Sequence, residues 1–455
     1  MSETAPPVET LEAHLNSFDP QERRAALLQL VELARQGQTG LPEPRPEVNL
    51  HIHTFFSFNC EGWSPTRVAW EARKYGLEAA GKVDFDVLEG MEEFLEAGEI
   101  LRLKTVCGLE TRVFIRELAD RVINSPGEPG IAYFMAAGCT RRPAAGTQAA
   151  DTLAGFYRTA RARNEEMMAR VNACLGDVQL DYRRDVLSLT PAKNATERHL
   201  LAAYNQKARE VFPDEGELCR FWAEKLGIPY PDACELVRHP LRLQETIRGR
   251  LMKKGGAGYV PPDAGSFPSV ETVSDFAREI GALPCLTWLD GTNPGEEDAG
   301  ELVELMLSKG CVCANIIPDR NWNIADPHEK ALKLRKLDEF IRACRDQGLP
   351  IAVGTEMNRA GQPFVDDFRA PELRPYVQDF LDGAHFFWGH TLLARHADYG
   401  YFSPRVQDAF GGARRRRNKF FQLVGELPYP SARKLAELPS KDLDPEHLLV
   451  WLKEG

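Results

Sequence analysis

Apolar and polar residues alternate regularly in EVNLHIH (47–53), which is the pattern of a strand with one buried face. The apolar positions lie on one side, and the polar positions, which include His51 and His53, lie on the other. A segment with helical periodicity follows, opened by Ser64–Pro65 and ended by Gly76. The main folded part of the chain therefore begins with a strand and a helix.

Strand-like and helix-like segments go on alternating along much of the chain. Helices are predicted after most of the strands, and the longest begins at Asp326–Pro327 and ends near Gly348. Such alternation is typical of a parallel sheet, open or closed. Six further strands are predicted in LEAAGKV before Asp84, in KTVCGL before Glu110, and in residues 130–138, 282–288, 311–318 and 350–354.

One long segment, residues 140–262, breaks this alternation because it shows only helical periodicity. Setting it aside with the two ends of the chain leaves roughly 230 residues, close to the about 250 that one α/β barrel needs. The predicted organisation is an amino-terminal tail and helix (1–46), a first barrel part (47–139), a helical insertion (140–262), a second barrel part (263–402) and a carboxyl-terminal helical extension (403–455).

Composition narrows the class of protein. The 455 residues include 67 acidic and 56 basic side chains, a formal net charge of −11, which disfavours stable nucleic-acid binding. Apolar stretches are too short to span a membrane, and the first residues lack the features of a secretory signal. Ten cysteines without a CxxC pair favour reduced, buried thiols, so we expect a cytoplasmic protein.

Imidazole and carboxylate side chains follow several of the predicted strands. His51, His53, Asp84, Glu110 and Glu356 all fall at carboxyl ends, which meet at one edge of an α/β sheet or barrel. Two histidines two residues apart on a strand share a face, so both rings can bind one ion. We therefore predict one or two divalent ions (Zn, Mn or Fe) held by nitrogen and oxygen ligands. The alternative is a pair of hydrogen-bonded core histidines.

Two aspartates in VDFDVLEG carry the predicted proton chemistry. Asp84 or Asp86 could accept a proton, or orient a ligand imidazole through a hydrogen bond. The alternative for Asp86 is the cap of the next helix. For Glu110 the alternative to a metal ligand is a surface ion pair with Arg112.

The segments LHIHTFFSF, VDFDVLEGMEEF and GLETRV resemble the PHP family, the polymerase and histidinol phosphatase metal-dependent phosphoesterases. The resemblance implies a distorted (β/α)7 TIM-like barrel with two or three metals, here with a large α-helical insertion. His51 and His53 match its first motif, and Glu110 matches its bridging carboxylate. The chain departs from the family at Phe85, which stands where a ligand histidine is usual.

The later motifs of the family are matched more loosely. Thr355–Asn358 corresponds to the last motif, which makes Glu356 a metal-ligand candidate. Asp290, His385 and His390 are possible substitutes for the missing ligands, and we predict a catalytic role for His390. Basic and polar side chains that could bind a substrate phosphate are Lys82, Lys253, Lys254, Asn358 and Arg359.

Three functions fit these observations. The first is a phosphoesterase with a reduced metal set, which hydrolyses a small-molecule or nucleotide phosphate ester with a metal-activated water. The second is a catalytically impaired barrel of the same origin that binds or regulates a partner, which Phe85 favours. The third is an amidohydrolase-like enzyme, which the lack of histidines after the later strands disfavours.

Overall fold

A computed structural model describes residues 6–262, 265–359 and 361–454. Parts of the predicted segments, namely residues 1–5, 263–264, 360 and 455, lie outside the described residues. Seven strands form one sheet, and they lie side by side in the order in which they occur in the chain. They are β1 (Arg45–Ile52), β2 (Leu77–Phe85), β3 (Lys104–Phe114), β4 (Ile131–Ala137), β5 (Leu283–Trp288), β6 (Cys313–Ile316) and β7 (Ile351–Val353).

The sheet is mixed and not wholly parallel, which corrects the sequence expectation. β4 runs antiparallel to both β3 and β5, whereas the other neighbouring strands are parallel. The cause is the connection from β3 to β4, because residues 115–130 contain a short 3-10 turn at Arg116–Leu118 and no crossover helix. A parallel return needs such a crossover.

The two edges of the sheet meet near the carboxyl end of β1. Ile52 forms a parallel bridge with Glu356, which follows β7. The Glu356 N–H donates to the His51 carbonyl at 2.8 Å, and the His53 N–H donates to the Glu356 carbonyl at 2.8 Å. The sheet is therefore nearly closed into a barrel, as predicted, and the closure brings His51, His53 and Glu356 together.

Helices surround the barrel, and their ends follow the predicted signals. The helix Pro65–Tyr75 begins after Ser64, whose hydroxyl accepts from Arg67 N–H, and ends at left-handed Gly76. Asp326 and Gly348 bound the long helix Pro327–Gln347 in the same way. The helices of this layer are α3 (Pro65–Tyr75), α4 (Met91–Leu101), α10 (Val270–Glu279), α11 (Ala299–Ser308), α12 (Asp319–Trp322) and α13 (Pro327–Gln347); α1 (Val8–His14) and α2 (Pro20–Arg35) pack against α3 and α4.

The helical segment between β4 and α10 has a hydrophobic core of its own, separate from that of the barrel. The long first helix joins the two cores, because Phe156 packs on Phe276 in the barrel core whereas Val171 is buried in the second core. The exact limits 140–262 stay a prediction. The helices are α5 (Gln148–Leu175), α6 (Glu197–Val211), α7 (Glu215–Leu226), α8 (Tyr230–Arg238) and α9 (Pro240–Ile247).

The carboxyl-terminal helices cover the opposite, amino-terminal end of the barrel strands. The helix Val377–Ala397 crosses this end of the barrel. Its Gly383 approaches the carbonyl of Ile351, the first residue of β7, so closely that a Cβ would clash. These helices are α14 (Val377–Ala397), α15 (Pro404–Phe410), α16 (Arg414–Glu426), α17 (Ala432–Glu437) and α18 (Pro445–Lys453).

Two further expectations concern the thiols and the membrane. All ten cysteines are unpaired in the structure, and seven of them are buried. Their reduced state stays a prediction. Within the described ranges, helices that combine the length and apolar character needed to cross a bilayer are absent.

His390 lies on α14 and is fully buried. Its Nε2 bonds the Gly138 carbonyl at 3.1 Å, and its Nδ1 accepts from the Tyr401 N–H at 3.2 Å. Burial lowers the pKa of His390 to about 4, against a slight raising effect of the Gly138 carbonyl. The structure therefore holds this ring neutral at the end of the barrel opposite to the predicted site.

We predict that His390 destabilises the fold in acid. With a pKa of about 4 folded and about 6.5 unfolded, only the unfolded chain binds the proton between these values, so stability falls as pH falls from 6.5 to 4. The loss is about 2–3 kcal/mol. Denaturant unfolding of wild type and His390→Gln at pH 7, 6, 5 and 4.5 measures it. Equal pH dependence in both proteins would contradict the prediction.

Candidate metal centre

Three side chains converge in the barrel at the carboxyl end of the strands: His51 and His53, from the end of β1, and Glu110, from β3. The two Nε2 atoms are 3.3 Å apart, and each lies 3.6 Å from Oε2 of Glu110. Both rings are fully buried, and the carboxylate is 2% exposed. These residues form a group with the geometry of a metal site, as the HxH spacing predicts.

The orientation of His53 follows from its neighbours. The Ser57 hydroxyl donates its one hydrogen to Asp84 Oδ1 at 2.5 Å, so its oxygen can only accept from Nδ1 of His53 at 2.9 Å. The proton of the ring is therefore on Nδ1, and Nε2 carries a free lone pair. Such a carboxylate-supported histidine is usual among metal ligands.

His51 is oriented in a similar way. Its Nδ1 bonds Oδ1 of buried Asn315 on β6 at 3.2 Å, and the amide oxygen can only accept. In the neutral ring of His51 the lone pair is therefore on Nε2, the atom that faces Glu110. Burial opposes the charged ring, but Glu110 outweighs it and raises the pKa of His51, whereas burial and His51 lower the pKa of His53.

The three converging atoms fit a divalent ion. Oε2 of Glu110 is buried and has no hydrogen-bond partner among the described residues, and an unpaired carboxylate oxygen in the interior is unfavourable. Two nitrogen ligands at 2.0–2.1 Å from a tetrahedral ion stand about 3.3 Å apart, which matches the spacing of the two Nε2 atoms. Two imidazoles and one carboxylate suit Zn, Mn or Fe.

Asp84 and Lys82 form a fully buried ion pair on β2, with Nζ 2.7 Å from Oδ2. The Asp84 carboxylate also accepts from the Thr54 N–H and hydroxyl at 2.9 and 2.8 Å. These contacts, with that of Ser57, use its oxygens fully. The structure thus places Asp84 behind His53 as an orienting group, and Lys82 beneath it rather than in the cavity described below.

Phe85 and Asp86 follow Asp84 at the rim. The Phe85 ring stacks on His53, with centroids 4.5 Å apart. Asp86 has a left-handed backbone (φ 60°), and its carboxylate accepts from the Thr111 hydroxyl at 2.6 Å. Burial raises the pKa of Asp86 to about 6, although Thr111 and Arg112 act to lower it.

Glu356 lies beside the cluster, but its carboxylate is bound by other side chains. Arg320 donates to both oxygens at 3.2 and 3.0 Å, and Gln362 donates to Oε2 at 3.1 Å. Burial acts to raise the pKa of Glu356, but Arg320 and the two histidines outweigh it and lower the pKa to about 2. Its φ of 63° and that of Met357, 52°, show a strained turn.

A cavity of about 240 Å³ lies between the barrel rim and the helical segment. Its lining includes Phe85, whose ring stacks on His53, and Glu356, but not His51, His53 or Glu110 themselves. Among the described residues, seven cationic and four acidic side chains line it, although the whole chain carries −11. The helical segment supplies four of the seven cations. The cations are Arg112, Arg163, Arg198, Arg248, Lys253, Arg320 and Arg359, and the acidic residues are Asp86, Glu197, Glu245 and Glu356.

The predicted phosphate-binding residues divide into two groups. Arg359, Asn358 and Lys253 line the cavity, and Lys253 pairs with Glu197 at 3.1 Å. Lys254 is exposed and packs near Gly127 outside the cavity.

The candidate substitute ligands do not join the cluster. Asp290 pairs with Lys333 at 3.2 Å, and His385 bonds Glu78 at the amino-terminal end of β2. His385 belongs to a second group of possible ligands with Asp382 and Glu426 on α14 and α16. That group lies at the end of the barrel away from the cavity, as His390 does.

Several residues of the site were missed by sequence reasoning. Asn315 and Ser57 carried a weak signal, because Asn315 is the polar residue inside an apolar predicted strand and Ser57 lies four residues after His53. The cavity residues Arg163, Arg198, Arg248 and Arg320, and Tyr133 of β4, carried none, because only the tertiary fold brings them to the rim.

Comparison with known proteins finds no matching family model and no matching curated protein. Among solved structures, the chain is similar to a Bifidobacterium adolescentis protein provisionally described as a metal-dependent phosphoesterase, with 17% identity and a TM-score of 0.44 over 74% of this chain and 98% of that one. It is also similar to an amidohydrolase from Chromobacterium violaceum with bound sulfate and no metal, with 14% identity and a TM-score of 0.47 over 74% and 96%. Membership of the PHP family stays a prediction.

We predict that metal binding depends on the convergent cluster. His51→Ala removes one of three ligand atoms and should weaken binding of Zn²⁺ or Mn²⁺ by more than about 100-fold. His385→Ala is the matched control, since it removes a histidine from the second group, and it should keep wild-type affinity. Competition with a chelator of known affinity, with metal content after dialysis, measures both. If His385→Ala lost its metal and His51→Ala kept it, the assignment of the ion to the cluster of His51, His53 and Glu110 would be wrong.

Proposed function

We propose that this chain is a metal-dependent phosphoesterase that hydrolyses a phosphate ester in the cavity next to His51, His53 and Glu110. One observation carries the proposal: three buried ligand atoms converge behind Phe85, which lines a cavity with a net positive lining among the described residues of an acidic chain. The first feature supports an ion, and the second supports an anionic substrate. A PHP-type hydrolase is the function that combines them, in agreement with the sequence resemblance.

His51, His53 and Glu110 would hold the ion, and Ser57 and Asn315 would keep both rings turned toward it. When bound, such an ion polarises a phosphoryl oxygen and acidifies a bound water. An ion with only three protein ligands would keep a position for water or substrate, as catalytic zinc sites do. Glu356 is held by Arg320, so we assign it to shaping the rim.

The cationic rim would orient the phosphate. Arg359 is exposed at the cavity mouth, and ion pairs of its side chain with described residues are absent. Arg320 reaches the same wall with one guanidinium nitrogen bound to Glu356 and its buried Nε unpaired within the described residues. Guanidinium groups bind phosphate oxygens with charge-assisted hydrogen bonds. We therefore assign Arg359 and Arg320 to phosphate contact.

Asp86 is the carboxyl group we assign to proton transfer. It lines the cavity, whereas Asp84 has its oxygens occupied by Thr54, Ser57 and Lys82. The strained φ of Asp86 turns its side chain toward Thr111 at the cavity wall. A carboxyl group within reach of the ester oxygen can give or take the proton that hydrolysis moves.

A binding protein without catalysis is the second candidate, and Phe85 favours it. This ring covers one face of His53, and an aromatic ring cannot ligate an ion. A site with fewer ligands could bind a phosphate compound and leave it intact.

We predict that the wild type hydrolyses p-nitrophenyl phosphate or bis-p-nitrophenyl phosphate when supplied with Zn²⁺ or Mn²⁺. The double variant His51→Ala/Glu110→Ala should lose kcat/KM by about 1,000-fold, because the ion supplies several kcal/mol of transition-state stabilisation. His385→Ala is the control and should keep activity. Wild-type protein that binds phosphate and metal yet hydrolyses neither ester supports the binding function and refutes the enzyme.

We also predict that Arg359 and Lys254, two exposed cations, differ in their effect on KM. Arg359→Ala should raise KM for the phosphate ester about tenfold, since it removes a charged hydrogen bond. Lys254→Ala removes the same charge outside the cavity and should leave KM unchanged. Steady-state kinetics at constant ionic strength compares them. Equal effects would show that Arg359 acts only through the general field of the protein.

A further inference from the structure

The loop 54–59, directly after His53, contacts both the metal centre and the helical segment. On its inner side, the Ser57 hydroxyl links Asp84 to Nδ1 of His53 at 2.5 and 2.9 Å. Asn59 adds a bond from its amide to the His53 carbonyl at 2.8 Å. The position of this loop therefore decides how His53 is turned.

On its outer side, the same loop is held by the helical segment between β4 and α10. The Thr196 hydroxyl donates to the Ser57 carbonyl at 3.0 Å, and the Thr190 hydroxyl donates to the Phe55 carbonyl at 2.9 Å. His199, three residues after Thr196, accepts at Nδ1 from the Thr196 N–H at 3.1 Å. Thr190 and His199 are buried and Thr196 is half-buried, which partly shields these contacts from water.

The loop has a backbone that needs such support. Phe58 adopts φ 92°, which is strained for any residue with a Cβ, and its ring packs edge-on against His199 at 5.6 Å. Conformations of this kind persist only where surrounding contacts impose them. Around Phe55 and Phe56, a small apolar cluster with Val87 and Ala192 joins the loop to the helical segment.

We propose that Thr196 is a positioning residue of the metal centre, which sets the orientation of His53 through Ser57. The helical segment is thus part of the scaffold of the ion site as well as the roof of the cavity. Thr196 is the residue before α6, and its neighbours Glu197 and Arg198 line the cavity. A ligand bound by these neighbours and an ion bound by His53 then stabilise the same arrangement of the loop, so each should tighten binding of the other. This inference rests on the proposed metal centre.

The test uses the full-length chain with Thr196→Val, which keeps the shape and removes the hydroxyl, and Thr196→Ser, which restores the hydroxyl. Thr147→Val is the matched control, because Thr147 also precedes a helix of this segment and donates to a backbone carbonyl, that of Ala144, far from the site. The rate of hydrogen–deuterium exchange of residues 54–60, measured without metal, reports how firmly the loop is held. Chelator competition with Zn²⁺ reports the affinity of the ion site.

In Thr196→Val, we expect exchange of residues 54–60 to become about fivefold faster and Zn²⁺ affinity to fall about tenfold. Thr196→Ser and Thr147→Val should both match the wild type. Unchanged exchange in Thr196→Val overturns the proposal, and so does faster exchange with unchanged affinity. A wild type that binds no Zn²⁺ refutes the metal centre and, with it, the role of Thr196 in positioning a metal ligand. Faster exchange in Thr196→Val would then show only that Thr196 holds the loop.

Discussion

Three atoms that can each supply a lone pair to a cation meet inside this protein, and the other features of the site depend on this arrangement. Nε2 of His51, Nε2 of His53 and Oε2 of Glu110 lie 3.3–3.6 Å apart in a fully buried position. Buried lone pairs that face each other are unfavourable unless a cation lies between them. Ser57 and Asn315 hold the rings so that neither can turn away.

The second constraint is electrostatic. The chain is acidic overall, yet its central cavity has more cationic than acidic side chains. Many of these cations are paired, for example Arg248 with Glu197 at 2.5 Å and Arg112 with Glu128 at 3.2 Å. Pairing keeps the guanidinium groups ordered and reduces their mutual repulsion, so the cavity can form before an anion enters it. The helical segment supplies most of this charge, which makes it part of the site.

The alternation of apolar residues predicted the strands of the sheet, because a buried strand and an amphipathic helix each have a local periodicity. It did not predict that β4 runs antiparallel, since direction depends on whether a crossover helix fits between β3 and β4. Strand-end chemistry identified His51, His53 and Glu110, but it could not separate Asp84, which orients Ser57, from Asp86, which lines the cavity. The two aspartates differ in their hydrogen-bond partners and in their access to the cavity, and only the folded structure shows both.

Sequence alone thus determined the barrel-like class, the helical segment and the identity of the possible ligands, because each depends on residue type and on spacing within one element. Tertiary structure decided which of these side chains meet. His390 lies at the far end of the barrel, and Lys82 pairs with Asp84. Arg198, Arg248 and Arg320 lie together at the rim, although they are far apart in the sequence. The physical reason is that contacts between distant segments depend on how whole elements pack, and no local pattern records that packing.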